Sequence, residues 1–222
     1  MFLWLLQSFA AIVRNVHLRA LHTIKPIQRI PGGMVVVLNG FPGTGEHTIL
    51  KRVLELLPAD KTHLIDNHLL IDPVQGLYPN RTAAHHELRR QVRKVYFPWV
   101  SRLAQEGHVI LMTACLANNA RGADFFREHL DPARGKGVPL YFINALCYPE
   151  VLVERAQSTE RIDSAKTKLT DENVLRELVE AHRLIQPEEL NDGWTKLVVD
   201  SLDVNGEVDE SVRLLMEMVG LG

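Results

Sequence analysis

The chain has 222 residues, with 25 lysines and arginines against 27 aspartates and glutamates, 46% apolar residues and 23% charged ones, the balance of an ordinary folded domain. That composition excludes a disordered or fibrous chain, and a net charge of −2 excludes the broad basic field that draws nucleic acid. Two cysteines, Cys115 and Cys147, are too few for a disulfide framework and are expected as reduced, buried, small hydrophobes of an intracellular protein.

Charge is uneven along the chain. Residues 1–33 hold Arg14, Arg19, Lys25 and Arg29 and no acid, a charge of +4, which leaves −6 for residues 34–222. The opening run MFLWLLQSFAAIV has 13 residues, short of the roughly 20 that cross a bilayer, so no transmembrane span is expected. Arg14, His17, His22 and Lys25 share one side of a helical wheel up to Pro26, as in a mitochondrial presequence. An added helix packed on the domain and a poorly ordered extension are the other readings. Localisation follows as cytoplasmic, or mitochondrial if residues 1–33 act as a presequence. Pro31, Gly32 and Gly33 form the expected hinge to a domain over 34–222.

Past the hinge the signals alternate. MVVVLNG (34–40) is a β-branched run too apolar for a surface strand, suited to a central parallel strand buried on both faces. Ile49, Leu50, Val53, Leu54 and Leu57 have helical spacing before Pro58. THLID (62–66) reads as a second strand and 83–104 as a long Arg-rich helix, with Trp99 after Pro98 expected as core packing at a kink. HVILMTA (108–114) and VPLYFINAL (138–146) are strands three and four. Residues 150–182 read as helical with a polar break near Ser164, WTKLVVD (194–200) as the last strand and 207–219 as the closing helix. Five apolar strands separated by helices predict an α/β sandwich whose parallel sheet runs in the order 2-3-1-4-5.

The junction of the first strand and first helix carries the strongest signal. VVVLNGFPGTGEHTIL places Gly40, Pro42, Gly43, Thr44 and Gly45 between a buried strand and a helix. There a loop of positive φ can turn successive backbone N–H groups, together with the helix amino terminus, toward phosphate oxygens. Measured against G-x-x-x-x-G-K-[ST], Gly40 and Gly45 match, whereas Glu46 stands at the lysine position and His47 at the metal-binding hydroxyl position, with Thr48 one residue late.

GFPGTGEHTI resembles the GxPGxGKxTI loop of the P-loop small-molecule kinases related to chloramphenicol phosphotransferase and zeta toxin, especially fungal chloramphenicol phosphotransferase-like proteins. The resemblance extends to Asp66, Asn67, His68, Leu69, Leu70, Ile71, Asp72 and Pro73, to Leu88, Arg89 and Arg93, and to LCYPEVLVERAQSTERIDSAKTKLTDENVL (146–175). It implies a nucleotide kinase-like P-loop fold with a lid around 150–172, ATP and Mg²⁺ as cofactors, and a nucleotide and a small-molecule acceptor as partners. Asp66 is implied to accept the proton of the acceptor hydroxyl, and Arg155 and Arg161 to close over the transferring phosphate. His68, Arg89 and Arg93 are implied to line the acceptor pocket.

The other readings of these residues are a turn or cap for Asp66, helix-surface Glu–Arg pairs for Arg155 and Arg161, and a solvated basic face that includes Arg90 and Lys94. Lys166 and Lys168 read as solvated lid charges. His85 and His86 point in different directions on a helix and lack partners with ligand spacing, so no metal site is expected. A carboxylate in place of the loop lysine turns attraction into repulsion, about 4 kcal/mol for two unit charges 4 Å apart at an effective dielectric of 20. Two functions stand beside each other: an ATP-dependent phosphotransferase acting on a small hydroxyl-bearing molecule with an impaired loop, and a catalytically silent P-loop-fold protein that binds a ligand or partner.

Overall fold

A computed structural model describes residues 32–156 and 172–222. Its strands are β1 (Met34–Asn39), β2 (Thr62–Ile65), β3 (Val109–Ala114), β4 (Pro139–Leu146) and β5 (Lys196–Asp203). The α-helices are α1 (Glu46–Leu56), α2 (Asp72–Gln75), α3 (Ala83–Gln105), α4 (Ala120–Leu130), α5 (Pro149–Ala156), α6 (Glu172–Ala181) and α7 (Val208–Met218). All strand pairs are parallel and the sheet order is β2-β3-β1-β4-β5, as expected from the sequence.

Alternation along β1 explains why it is apolar throughout. Val36 and Leu38 face one layer with Ile49, Leu50 and Val53 of α1 and Val212, Leu215 and Met216 of α7. Val35 and Val37 face the other, with Phe97 and Val100 of α3 and Phe126 and Leu130 of α4. Neither face of the strand meets water, so a polar alternation would be costly on either side. Among the described residues the edge strand β5 has a neighbour only in β4; it exposes Val198 between Lys196 and Asp200, two charges that blunt an open edge.

Two expectations are corrected and one helix is added. Trp99 is 62% exposed rather than in the core. Phe97, Val100, Ser101 and Ala104 take the buried side of α3, and two positions past Phe97 on a 3.6-residue turn lies on the far side of the helix. Arg102 lies over the Trp99 ring at 5.7 Å, and α3 continues through Pro98. The cysteines are not buried: Cys115 is exposed and Cys147 half-buried, both unpaired, because each follows the end of a strand where the chain turns away from the core. Finally, α4 has no counterpart in the sequence reading although Asn119 caps it, accepting from the Gly122 N–H at 2.8 Å.

Arg161, Lys166, Lys168 and the break near Ser164 lie outside the described residues, as does most of the expected lid. Among the described residues no helix is long and apolar enough to cross a membrane.

Candidate functional site

A cavity of about 1210 Å³ opens at the carboxyl edge of the sheet, lined on one side by residues 41–49 and on the other by α3 and α4. It lies where β1 is flanked by β3 and β4, the point at which successive connections leave toward opposite faces of the sheet. Buried polar residues hold the ends of the strands there. Asn39 donates to the Leu116 carbonyl at 3.2 Å and to Asn144 Oδ1 at 2.9 Å, and accepts from the Leu116 N–H at 2.7 Å. Asn144 in turn donates to the Ile185 carbonyl at 2.9 Å. These bonds satisfy two fully buried amides and fix the loop after β3 against β1.

The glycine loop has the conformation its sequence implies. Gly43 and Gly45 adopt φ of 103° and 93°, the left-handed region open to glycine, and Gly45 is the residue before α1. Gly40 is needed for space instead, since a Cβ there would meet Thr44 Oγ1 at 2.8 Å. The Thr44 hydroxyl donates to the Phe41 carbonyl and closes the turn. Phe41 packs with Leu152 and Val153 of α5 and Leu175 of α6, so an apolar contact seats the loop on these two helices.

Glu46 begins α1, where the helix amino terminus favours a carboxylate. Its Cγ lies close to Gly40, where an added Cβ would meet it at 3.0 Å. His47 Nε2 lies 3.7 Å from Asp66 Oδ2, and Thr48 is exposed. Lys51 reaches the cavity wall from further along α1, whereas Arg52 is engaged by Glu55 at 2.9 Å and Asp209 at 3.3 Å.

Asp66 lies just past β2, 7% exposed. Its Oδ1 accepts from the His68 N–H at 3.0 Å and from the Thr113 hydroxyl at 3.3 Å, while Oδ2 faces His47. Asp66 is therefore a cap residue and also a carboxylate directed at the cavity. Thr113 further accepts from the Asn67 N–H at 2.8 Å and so fixes the turn that carries Asp66. His68 lines the cavity with Nδ1 3.2 Å from Asp72 Oδ1.

Arg155 reaches the loop by another route. Its guanidinium donates to the carbonyls of Val204 at 2.8 Å, Gly206 at 3.2 Å, and Thr44 and Asn205 at 3.4 Å each. These contacts tie the glycine loop to the turn after β5.

Arg89 and Arg93 lie on the buried stripe of α3 and enter the same cavity. Arg93 Nε pairs with Glu128 Oε2 at 2.5 Å, and its guanidinium sits 4.5 Å from the Phe125 ring centre. Arg90 instead pairs with Glu87 on the outer face, and Lys94 is exposed. Sequence reasoning missed Arg121, Phe125 and Glu128 as members of this wall. The Asn119 cap and the spacing of Phe126 and Leu130 were the available signals. Cys115 is open to the cavity but deep within it, where loss of bulk water and then the charge of Glu46 push its thiol up to about 12.

The loop's shape fits a phosphate, but its side chains do not fit Mg·ATP. The lysine position carries a carboxylate, and the hydroxyl position carries an imidazole. Among the described residues no three of His, Cys, Asp or Glu are grouped to hold a metal ion.

No family model and no curated relative matches the chain. Solved structures do match its fold. The gluconokinase from Sinorhizobium meliloti 1021 is 18% identical with a TM-score of 0.50, over 87% of this chain and 94% of that one. The Mycobacterium tuberculosis APS kinase CysC, solved with AMPPNP and APS, is 17% identical with a TM-score of 0.53, over 86% and 99%. The thymidylate kinase from Candida albicans is 13% identical with a TM-score of 0.53, over 85% and 92%. The chain therefore has the nucleotide kinase-like fold of the P-loop NTPases, with the five-stranded parallel sheet of that class.

Proposed function

We propose that the chain is a phosphotransferase-like protein of the chloramphenicol phosphotransferase-like type, which takes a small hydroxyl-bearing molecule beside Asp66 and whose degenerate loop impairs the use of ATP. The observation that carries this reading is the setting of Asp66. One carboxylate oxygen is held by a backbone N–H and the Thr113 hydroxyl, and the other faces the cavity across from the glycine loop. Such a carboxylate accepts the proton of a hydroxyl as that oxygen attacks, and its fixed Oδ1 keeps the accepting lone pairs in place. Arg155, which lines the cavity and holds the Thr44 carbonyl, ties the loop to the turn after β5 and acts as a positioning residue. His68 and the α3 arginines are read as acceptor contacts.

Glu46 favours a second reading, a catalytically silent member of the fold that retains ligand binding. A carboxylate in the first turn of α1 repels phosphate and competes with it for the N–H groups of the helix end. The two readings are separated by calorimetric titration of the full chain with Mg·ATP and Mg·ADP, followed by a search for transfer to alcohols. Weak nucleotide binding with slow transfer is expected. Nucleotide binding at the micromolar level would refute the impairment, and the absence of transfer even after the loop lysine is restored would leave the silent protein.

A further inference from the structure

We propose that the end of the cavity remote from the glycine loop is a site for an anionic group, a phosphate or a carboxylate carried by the acceptor molecule. This deepens the acceptor reading above and rests on it for the identity of the cavity.

Four arginines from different places in the chain converge on that end: Arg81 ahead of α3, Arg89 and Arg93 within it, and Arg121 in α4. Arg89 is 6% exposed and Arg93 2%. Among the described residues only Glu128 answers them: it pairs with Arg93, whereas Arg89 has one long contact there, to Asn67 Oδ1 at 3.4 Å. Arg89 Nε and Arg93 Nη2 are buried without an acceptor among the described residues.

A solvated basic face does not account for this. Arg90, one residue away, shows the solvated arrangement, with its guanidinium on Glu87 outside the cavity. Arg89 instead gives up water without gaining a carboxylate among the described residues. A buried charge left unmatched in this way is costly, and an entering anion offsets the cost through charge-assisted hydrogen bonds. Phe125 strengthens the arrangement, since both guanidiniums lie over its ring, at 5.6 Å for Arg89 and 4.5 Å for Arg93, which holds their planes while leaving donors at the edges.

The electrostatics agree with the geometry. Burial and then the neighbouring Arg93 and Arg81 push Arg89 down to about 10. His86 in the same wall is pushed down to about 4, by burial first and then by Arg121 and Arg89, so it is neutral near pH 7 and adds no competing charge. Neither ring nitrogen of His86 has a partner among the described residues.

The test is calorimetric titration of the full chain, without nucleotide, with inorganic phosphate, with malonate and with glycerol as a neutral control. Arg81→Ala and Arg121→Ala are the informative variants, because both residues are exposed in the cavity wall and their loss leaves the core in place. Each is expected to weaken anion binding by about tenfold while the thermal midpoint stays unchanged. Whichever of phosphate and malonate binds more tightly names the anion. Anion binding by the native chain that Arg81→Ala and Arg121→Ala leave unchanged and that Glu46→Lys strengthens assigns the binding to the loop and overturns the proposal. Failure of both anions to bind the native chain also overturns it. Because no nucleotide is present, failure of the kinase reading leaves this result readable.

Discussion

At the loop end of the cavity the donors are backbone N–H groups, shaped by Gly43 and Gly45, and the charged side chain at the start of the helix is acidic. At the other end the donors are guanidiniums from Arg81, Arg89, Arg93 and Arg121, and one carboxylate, Glu128, pairs with one of them. The loop end depends on conformation over a few successive residues, so it is local and its glycines are readable. The arginine end depends on which faces of α3 and α4 meet, so it is non-local. An acidic substitution at the first end removes attraction that the backbone alone has to supply. At the second, removal of any one cation leaves three.

The largest effect expected from this contrast is at Asp66, between the two ends. In a chain that transfers phosphate, Asp66→Asn is expected to lower turnover about a thousandfold and leave nucleotide affinity nearly unchanged, since the carboxylate acts on the acceptor. Single-turnover assays beside nucleotide titration read both, in the Glu46→Lys background if native turnover is too slow. Equal turnover removes Asp66 from the mechanism.

The α4 wall brings a pH dependence that the loop does not. His129 is 6% exposed, its Nδ1 lies 2.7 Å from the Phe125 carbonyl, and burial pushes it down from 6.5 to about 4. The unfolded chain takes up a proton near pH 6.5 that the folded chain refuses. This contribution to stability is therefore complete above pH 6.5 and lost as pH falls toward 4, at most about 3 kcal/mol. Denaturant midpoints between pH 7 and pH 4.5 are expected to fall less steeply in His129→Phe than in the native chain.

Gly122 links α4 to the strand edge. A Cβ there would meet the Ala117 carbonyl oxygen at 1.9 Å, a backbone atom that cannot rotate away. Alanine favours a helix over glycine by about 1 kcal/mol, but the clash decides the sign, and Gly122→Ala is expected to cost about 2 kcal/mol of stability. Thermal melting measures it. A rise in midpoint would mean that α4 sits further from β3 than described, and would loosen the arginine wall.

Legibility followed the same division. β1 was readable because burial on both faces leaves an unbroken run of Val and Leu, and the loop because three glycines sit between that run and a helix. Trp99 was misread because Pro98 suggested a kink and a large aromatic suggested a core, whereas the register of α3 set by Phe97 and Val100 turns position 99 outward. Arg89 and Arg93 could be paired by their i, i+4 spacing, but Glu128 and Phe125 lie on α4 and no local pattern joins them. The donors of Arg155 reach carbonyls about 50 residues away after β5, which spacing cannot reveal.

The smallest expected effect isolates the loop end. Glu46 gains from the positive end of α1, a contribution of about 0.5 kcal/mol to the empty protein, and it lines the cavity beside the glycine loop. In Glu46→Lys the same position carries a cation that phosphate attracts and the helix end slightly disfavours. Nucleotide affinity is therefore expected to rise at least about tenfold, roughly 1.4 kcal/mol, with a small loss in the stability of the empty protein. The two changes have opposite signs, and a substitution that merely disturbed the loop would lower both. Calorimetry with Mg·ATP beside thermal melting of the empty chain reads them together. Equal nucleotide affinity in the native chain and the variant would mean that Glu46 swings clear of the phosphates and that the backbone N–H groups suffice, removing the electrostatic contrast between the two ends of the cavity.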